Sequence, residues 1–123
     1  MSLPKDVDSA LYTEIRPWGS FTVLQDESHF KAKRLVVKPG QRLSLQLHHQ
    51  REEHWLVVKG VPDITVADKT WQAKVGEYIH IPKGVKHRLG NQSDETAEIV
   101  EIQLGAYFGE DDIVRFEDDY QRT

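Results

Sequence analysis

The sequence predicts an all-β domain, a sandwich or barrel of short strands around one core. Three observations carry this. Between Phe21 and Leu104 the chain falls into short runs rich in Val, Ile, Leu, Trp and Tyr, punctuated by Gly, Pro, Asn or Asp. No segment sustains a 3.6-residue apolar repeat over three turns. A length of 123 residues suits one core and excludes a two-domain enzyme.

The predicted strands, in order, are residues 21–24, 30–37, 43–47, 53–58, 64–66, 70–74, 78–81, 86–89 and 97–104. The breaks, at residue types that favour turns, are Lys38-Pro39-Gly40, Lys59-Gly60, Val75-Gly76, Pro82-Lys83-Gly84 and Gly90-Asn91. On a continuous strand, residues two apart share a face. Arg42, Ser44, Gln46 and His48 are therefore expected on one face, with Leu43, Leu45 and Leu47 on the other. The leucine face needs burial, at about 0.8 kcal/mol per methylene. The polar stretch His49-Gln50-Arg51-Glu52 is expected to turn the chain so that Glu53 faces His48, with Trp55 sharing its parity. His87 follows Pro82-Lys83-Gly84 on a later strand. Near the end, residues 111–120 are expected to make one helical turn. The acidic groups Gly109-Glu110-Asp111-Asp112 and Glu117-Asp118-Asp119 read equally as a solvated face or as neighbours of a site.

Sixteen basic against twenty acidic side chains give a net charge of -4, so no cationic surface suits nucleic-acid phosphates. With no cysteine, neither disulfides nor thiolate ligands are possible, and a metal would sit on nitrogen and oxygen. No stretch approaches the roughly 20 apolar residues of a spanning helix, and the first ten residues lack a signal-peptide core. The expectation is a cytoplasmic protein with no membrane or nucleic-acid partner.

His29, His49, His54 and His80 read as ordinary structural or exposed histidines. His48 and His87 differ because they sit in two spaced patterns, Gly40-x5-Gln46-x-His48-x4-Glu53-x6-Gly60 and Gly76-x5-Pro82-x-Gly84-x2-His87-x3-Asn91. This pair resembles both signature motifs of the cupin superfamily at every position but Gln46, where histidine is commoner. The resemblance implies a double-stranded β-helix, a jelly-roll-like barrel, with residues 1–15 as an N-terminal segment and residues 16–123 as one cupin domain. It also implies one divalent metal held by Gln46, His48, Glu53 and His87. Glutamine in place of imidazole gives two nitrogens and two oxygens, which disfavours an iron oxygenase and suits zinc first, then manganese, cobalt or nickel.

Arg16-Pro17-Trp18-Gly19, Leu43 to His48, Arg51-Glu52-Glu53-His54-Trp55, Ile81-Pro82-Lys83-Gly84, His87-Arg88-Leu89 and Gly109 to Arg115 narrow the resemblance to type II mannose-6-phosphate isomerases. In that family the cupin is commonly the C-terminal part of a bifunctional guanylyltransferase/isomerase. The implied reaction interconverts mannose 6-phosphate and fructose 6-phosphate, feeding polysaccharide synthesis. Such chemistry needs carbonyl polarisation, a base moving a proton between C2 and C1, and cations for the phosphate. Arg51 and Arg88, adjacent to the two motifs, are the expected phosphate residues, with Arg115 and Lys83 in reserve. The base stays open among Glu101, Glu110, Lys33 and a metal-bound hydroxide. Arg16 to Gly19 read as a packed N-terminal turn or as a closure of one barrel mouth. A homodimer is expected from the leucine row and from Leu56 and Val58 opposite Glu53. The competing reading is a non-catalytic, metal-holding cupin that binds a sugar or small acid.

Overall fold

The computed structural model describes residues 12–109 and 111–120. Twelve strands follow one another: β1 (Tyr12–Arg16), β2 (Gly19–Asp26), β3 (Phe30–Val37), β4 (Gln41–Arg42), β5 (Leu45–Leu47), β6 (Arg51–Lys59), β7 (Asp63–Val66), β8 (Lys69–Gln72), β9 (Tyr78–Ile81), β10 (His87–Asn91), β11 (Ala97–Gly105) and β12 (Val114–Glu117). They form one six-stranded sheet in the order β1-β2-β3-β11-β6-β9 and a second in the order β12-β5-β10-β7-β8, with β4 also on β10. All pairings are antiparallel.

Strict alternation builds the first sheet. Along β6, Arg51, Glu53, Trp55 and Val57 are buried while Glu52, His54, Leu56 and Val58 face outward. The inward residues of β2, β3, β6, β9 and β11 meet Ile64 and Leu89 of the second sheet in one apolar cluster. Each such side chain contributes about 1.5–3 kcal/mol when withdrawn from water. The motif glycine Gly60 has φ +73°, and a Cβ there would lie 2.6 Å from the Thr96 carbonyl oxygen, so only glycine lets β6 turn tightly past the start of β11.

β1 pairs with β2 from Tyr12↔Val23 to Arg16↔Gly19. Two expectations change. The segment expected to make a helical turn instead carries β12, paired with β5 through Val114↔Leu47 and Arg115↔Gln46. Its alternating Val114-Arg115-Phe116-Glu117 satisfies the edge of β5, and that long-range pairing overrides the local tendency. The run from Arg42 to His48 is not one continuous strand. On β10, Gly90 faces Arg42 and His87 faces Gln46, so four steps on one side oppose three on the other. One extra residue is inserted at Leu43-Ser44, which inverts the parity. Leu43 therefore packs on the core and faces the same cavity as Gln46 and His48, while Arg42 and Leu45 lie on the other side.

Candidate metal centre

The inward faces of β5, β6 and β10 converge at one mouth of the barrel. Gln46 and His87 are cross-strand partners, and His48 directly follows β5. The bend at His49-Gln50 then carries the chain into β6, so Glu53 meets His48 with Nε2 to Oε2 at 3.0 Å, while His87 Nε2 lies 3.7 Å from Glu53 Oε1. His48, Glu53 and His87 are all buried, at 2–3% exposure.

The far nitrogen of each ring is already committed. His48 Nδ1 donates to the Asp112 carbonyl at 2.7 Å, and His87 Nδ1 donates to the Val85 carbonyl at 3.0 Å. Each Nε2 is therefore the ring atom turned toward the Glu53 carboxylate. Two imidazole Nε2 atoms and a carboxylate turned toward one another make a donor set that fits a divalent metal whose histidines are oriented through their second nitrogen. Gln46 completes the wall. Its amide nitrogen is tied back to Ser44 Oγ at 3.2 Å, which leaves its carbonyl oxygen for the cavity.

Charge around the centre is tightly arranged. Burial works against ionising Glu53, yet the bond to His48 and the proximity of His87 hold its carboxyl well below the usual range. Glu101, one turn of the pleat away on β11, is pushed up to about 8 by burial and by the Glu53 charge. Trp55 Nε1 bridges the two, 3.0 Å from Glu53 Oε1 and 3.1 Å from Glu101 Oε2. Burial lowers the His87 pKa, which Glu53 partly offsets, and so keeps that ring neutral and able to ligate. Lys33 is the cross-strand partner of Glu101 and lines the same cavity.

Of the expected phosphate residues, Arg51 lies in the cavity: its Nε donates to Glu53 Oε2 at 3.1 Å and one guanidinium nitrogen to His48 Nε2 at 3.2 Å. Arg88 is not brought there. It follows inward His87 by one residue and therefore faces outward, where it donates to the Leu43 carbonyl at 3.0 Å and to the Glu117 carboxylate and carbonyl. Lys83 is exposed and lies outside the cavity lining. Arg115 does reach the cavity through β12, as does Arg16 through β1. Glu110 lies outside the described residues.

Asp112 had no distinct signal in the sequence beyond belonging to an acidic run. Its carboxylate accepts from the backbone N–H groups of His49 and Gln50, at 3.1 and 2.9 Å, while its carbonyl holds His48. Burial opposes its ionisation, but those two N–H donors and the nearby His48 keep its carboxyl below the ordinary aspartate range.

Two facing antiparallel sheets closing over a His-Gln-Glu-His wall define a cupin. Solved structures share the fold: a double-stranded β-helix protein from Klebsiella pneumoniae (TM-score 0.75, 17% identity, 96% of this chain and all of that one) and a cupin-2 domain from Rhodospirillum rubrum (TM-score 0.70, 16% identity, 83% and 78%). Within that class the chain belongs to the family described as mannose-6-phosphate isomerase C-terminal, whose profile matches residues 5–118. Relatives include the xanthan biosynthesis protein XanB of Xanthomonas campestris (48% identity, 88% of this chain, 23% of XanB) and the alginate biosynthesis protein AlgA of Pseudomonas aeruginosa (48%, 88% and 22%). A mannose-1-phosphate guanylyltransferase of Sinorhizobium fredii is 44% identical, over 95% of this chain and 24% of that protein. The chain thus spans about a quarter of the length of these relatives. No helix among the described residues is long and apolar enough to cross a membrane.

Proposed function

We propose that this domain is a metal-dependent sugar-phosphate isomerase that interconverts mannose 6-phosphate and fructose 6-phosphate in the cytoplasm. The observation that carries the reading is the anchored Gln46-His48-Glu53-His87 wall beside Arg16, Arg51 and Arg115 in one cavity of a chain in this family. Zinc is the first choice for a set of two imidazoles and two oxygens. When bound, the ion polarises the sugar's carbonyl and hydroxyl oxygens and lowers the pKa of neighbouring acids.

The chain's own groups supply the rest. Glu101 is the candidate that takes the C2 proton and returns it to C1, with Lys33 beside it as an ammonium to balance charge. Arg115 and Arg16 replace Arg88 as the candidates for the phosphate. They reach the cavity from β1 and β12, Arg115 as the cross-strand partner of Gln46, whereas Arg51 is bonded to Glu53 and His48 themselves. A second copy is proposed to cover the apolar part of the outer face of β6, where Leu56 and Val58 are 43% and 40% exposed.

The test is a coupled assay on the zinc-loaded chain with mannose 6-phosphate and with free mannose, metal content being measured on the same samples. Turnover of the phosphate sugar, poor turnover of mannose, and a loss of about 2 kcal/mol in kcat/KM for Arg115→Ala at unchanged zinc are expected. Metal-loaded protein that binds mannose 6-phosphate without turning it over would overturn the isomerase reading in favour of a sugar-binding cupin.

A further inference from the structure

A second constellation of metal-ligating type lies on the opposite side of the barrel wall. Glu52 and His54 flank Glu53 on β6 and face outward, and His54 is the direct cross-strand partner of His80 on the edge strand β9. Antiparallel pairing sets such partners about 4.5–5.5 Å apart at Cβ, so the ladder itself brings the two imidazoles together. The rings stack at 4.7 Å between centroids with 15° between planes. Both Nε2 atoms converge on a single carboxylate oxygen, Glu52 Oε2, each at 2.8 Å. His54 Nδ1 is meanwhile bonded to the Tyr78 hydroxyl, which fixes that ring with Nε2 toward Glu52.

From these residues we infer a second, peripheral metal site: Glu52, His54 and His80 form a three-ligand seat for a divalent transition cation of the zinc, nickel or copper class, independent of the ion in the cavity. Two of the three ligands are imidazole nitrogens, which selects against calcium and magnesium. Zinc sits about 2.1 Å from nitrogen and oxygen ligands, so ligand atoms subtending a right angle stand about 3.0 Å apart and those at the tetrahedral angle about 3.4 Å. The present 2.8 Å spacings need to open by about 0.2–0.6 Å, within the reach of partly exposed side chains. The Tyr78 hydroxyl acts on His54 as the outer partner that orients a ligating histidine through its second nitrogen. The cation takes the Nε2 lone pair of each ring while the ring proton sits on Nδ1, which in His54 then donates to the Tyr78 hydroxyl. It clips edge strand β9 to β6, on the strand that runs into Pro82-Lys83-Gly84 and His87. The seat occupies the polar end of the outer face, and Leu56 and Val58 occupy the other end.

Calorimetric titration of the chelator-treated full chain with zinc tests this, comparing wild type, His80→Ala, Glu52→Gln and the pair His48→Ala/His87→Ala. Two zinc ions per wild-type chain are expected. The weaker step should fall at least tenfold in affinity in His80→Ala and in Glu52→Gln, and should survive in the His48/His87 pair. His80 is 45% exposed at its side chain, so loss of its step through misfolding would show as a changed circular dichroism spectrum or Tm, against the unchanged fold expected here. Equal zinc uptake by wild type, His80→Ala and Glu52→Gln overturns the inference. That outcome leaves the cavity untouched, because loss of the step removed by the His48/His87 pair is read separately.

Discussion

The inner and outer faces of the barrel wall use the same residue types, one position apart, for different ends. On β6, Glu53 faces in and Glu52 and His54 face out; on β10, His87 faces in and Arg88 faces out. The inner histidines are anchored to backbone carbonyls and stripped of solvent. The outer ones lean on side chains, Tyr78 and Glu52, and stay partly wet. Anchoring to backbone fixes a lone pair without the freedom of a second rotamer, so the inner set is preorganised and the outer set must be gathered by its ligand. Likewise Arg51 is held against the metal wall, while Arg88 ties together the Leu43 bulge and β12.

The largest expected effect strikes the anchoring itself. Asp112→Ala removes the carboxylate that binds the His49 and Gln50 N–H groups and so loosens the loop that presents His48. Zinc affinity of the cavity site, measured by chelator competition, should drop about 10–100-fold, the usual cost of losing an orienting partner. An unchanged affinity would show that the Asp112 carbonyl alone holds His48.

The next effect separates the two arginines. Arg88→Ala should lower stability by about 1–3 kcal/mol in urea unfolding, since it orphans the Leu43 carbonyl and two contacts on Glu117, while zinc content stays at the wild-type level. Glu117 is itself exposed, which keeps the figure toward the lower end. A variant that folds as stably as wild type and loses turnover would return Arg88 to the phosphate role.

The smallest effect is a pH dependence confined to the inner face. In metal-free protein Glu101 has its folded pKa raised to about 8, above its unfolded value of 4.5. Its contribution to stability is therefore complete below about pH 4.5 and is lost as pH rises through 8, because only the unfolded state releases the proton in that interval. Urea midpoints of chelated protein should decline from pH 5 to pH 8, and Glu101→Gln should flatten the slope. A slope unchanged in the variant would assign the titration elsewhere.

Much of this was legible in one dimension. Residues 30–37 and 78–81 are strands with the limits that their composition and turn residues suggest, because both are uninterrupted and bounded by Pro-Gly or Gly. The spacing of Gly40, Gln46, His48, Glu53, Gly76, Pro82 and His87 pointed to the fold and to one wall of the cavity through its resemblance to the two cupin motifs. Three-dimensional pairing decided what spacing cannot. One inserted residue at Leu43-Ser44 sent Leu43 inward and Arg42 outward, and a bulge shows only against the partner strand, here β10. The end of the chain became a strand because β5 offered it an open edge, and that pairing brought Arg115 to the cavity and Asp112 to His48. His54 and His80, each unremarkable in its own stretch of sequence, meet only because β6 and β9 pair in one particular register. Register is a property of two strands together, fixed by packing both faces at once, and no single strand contains it.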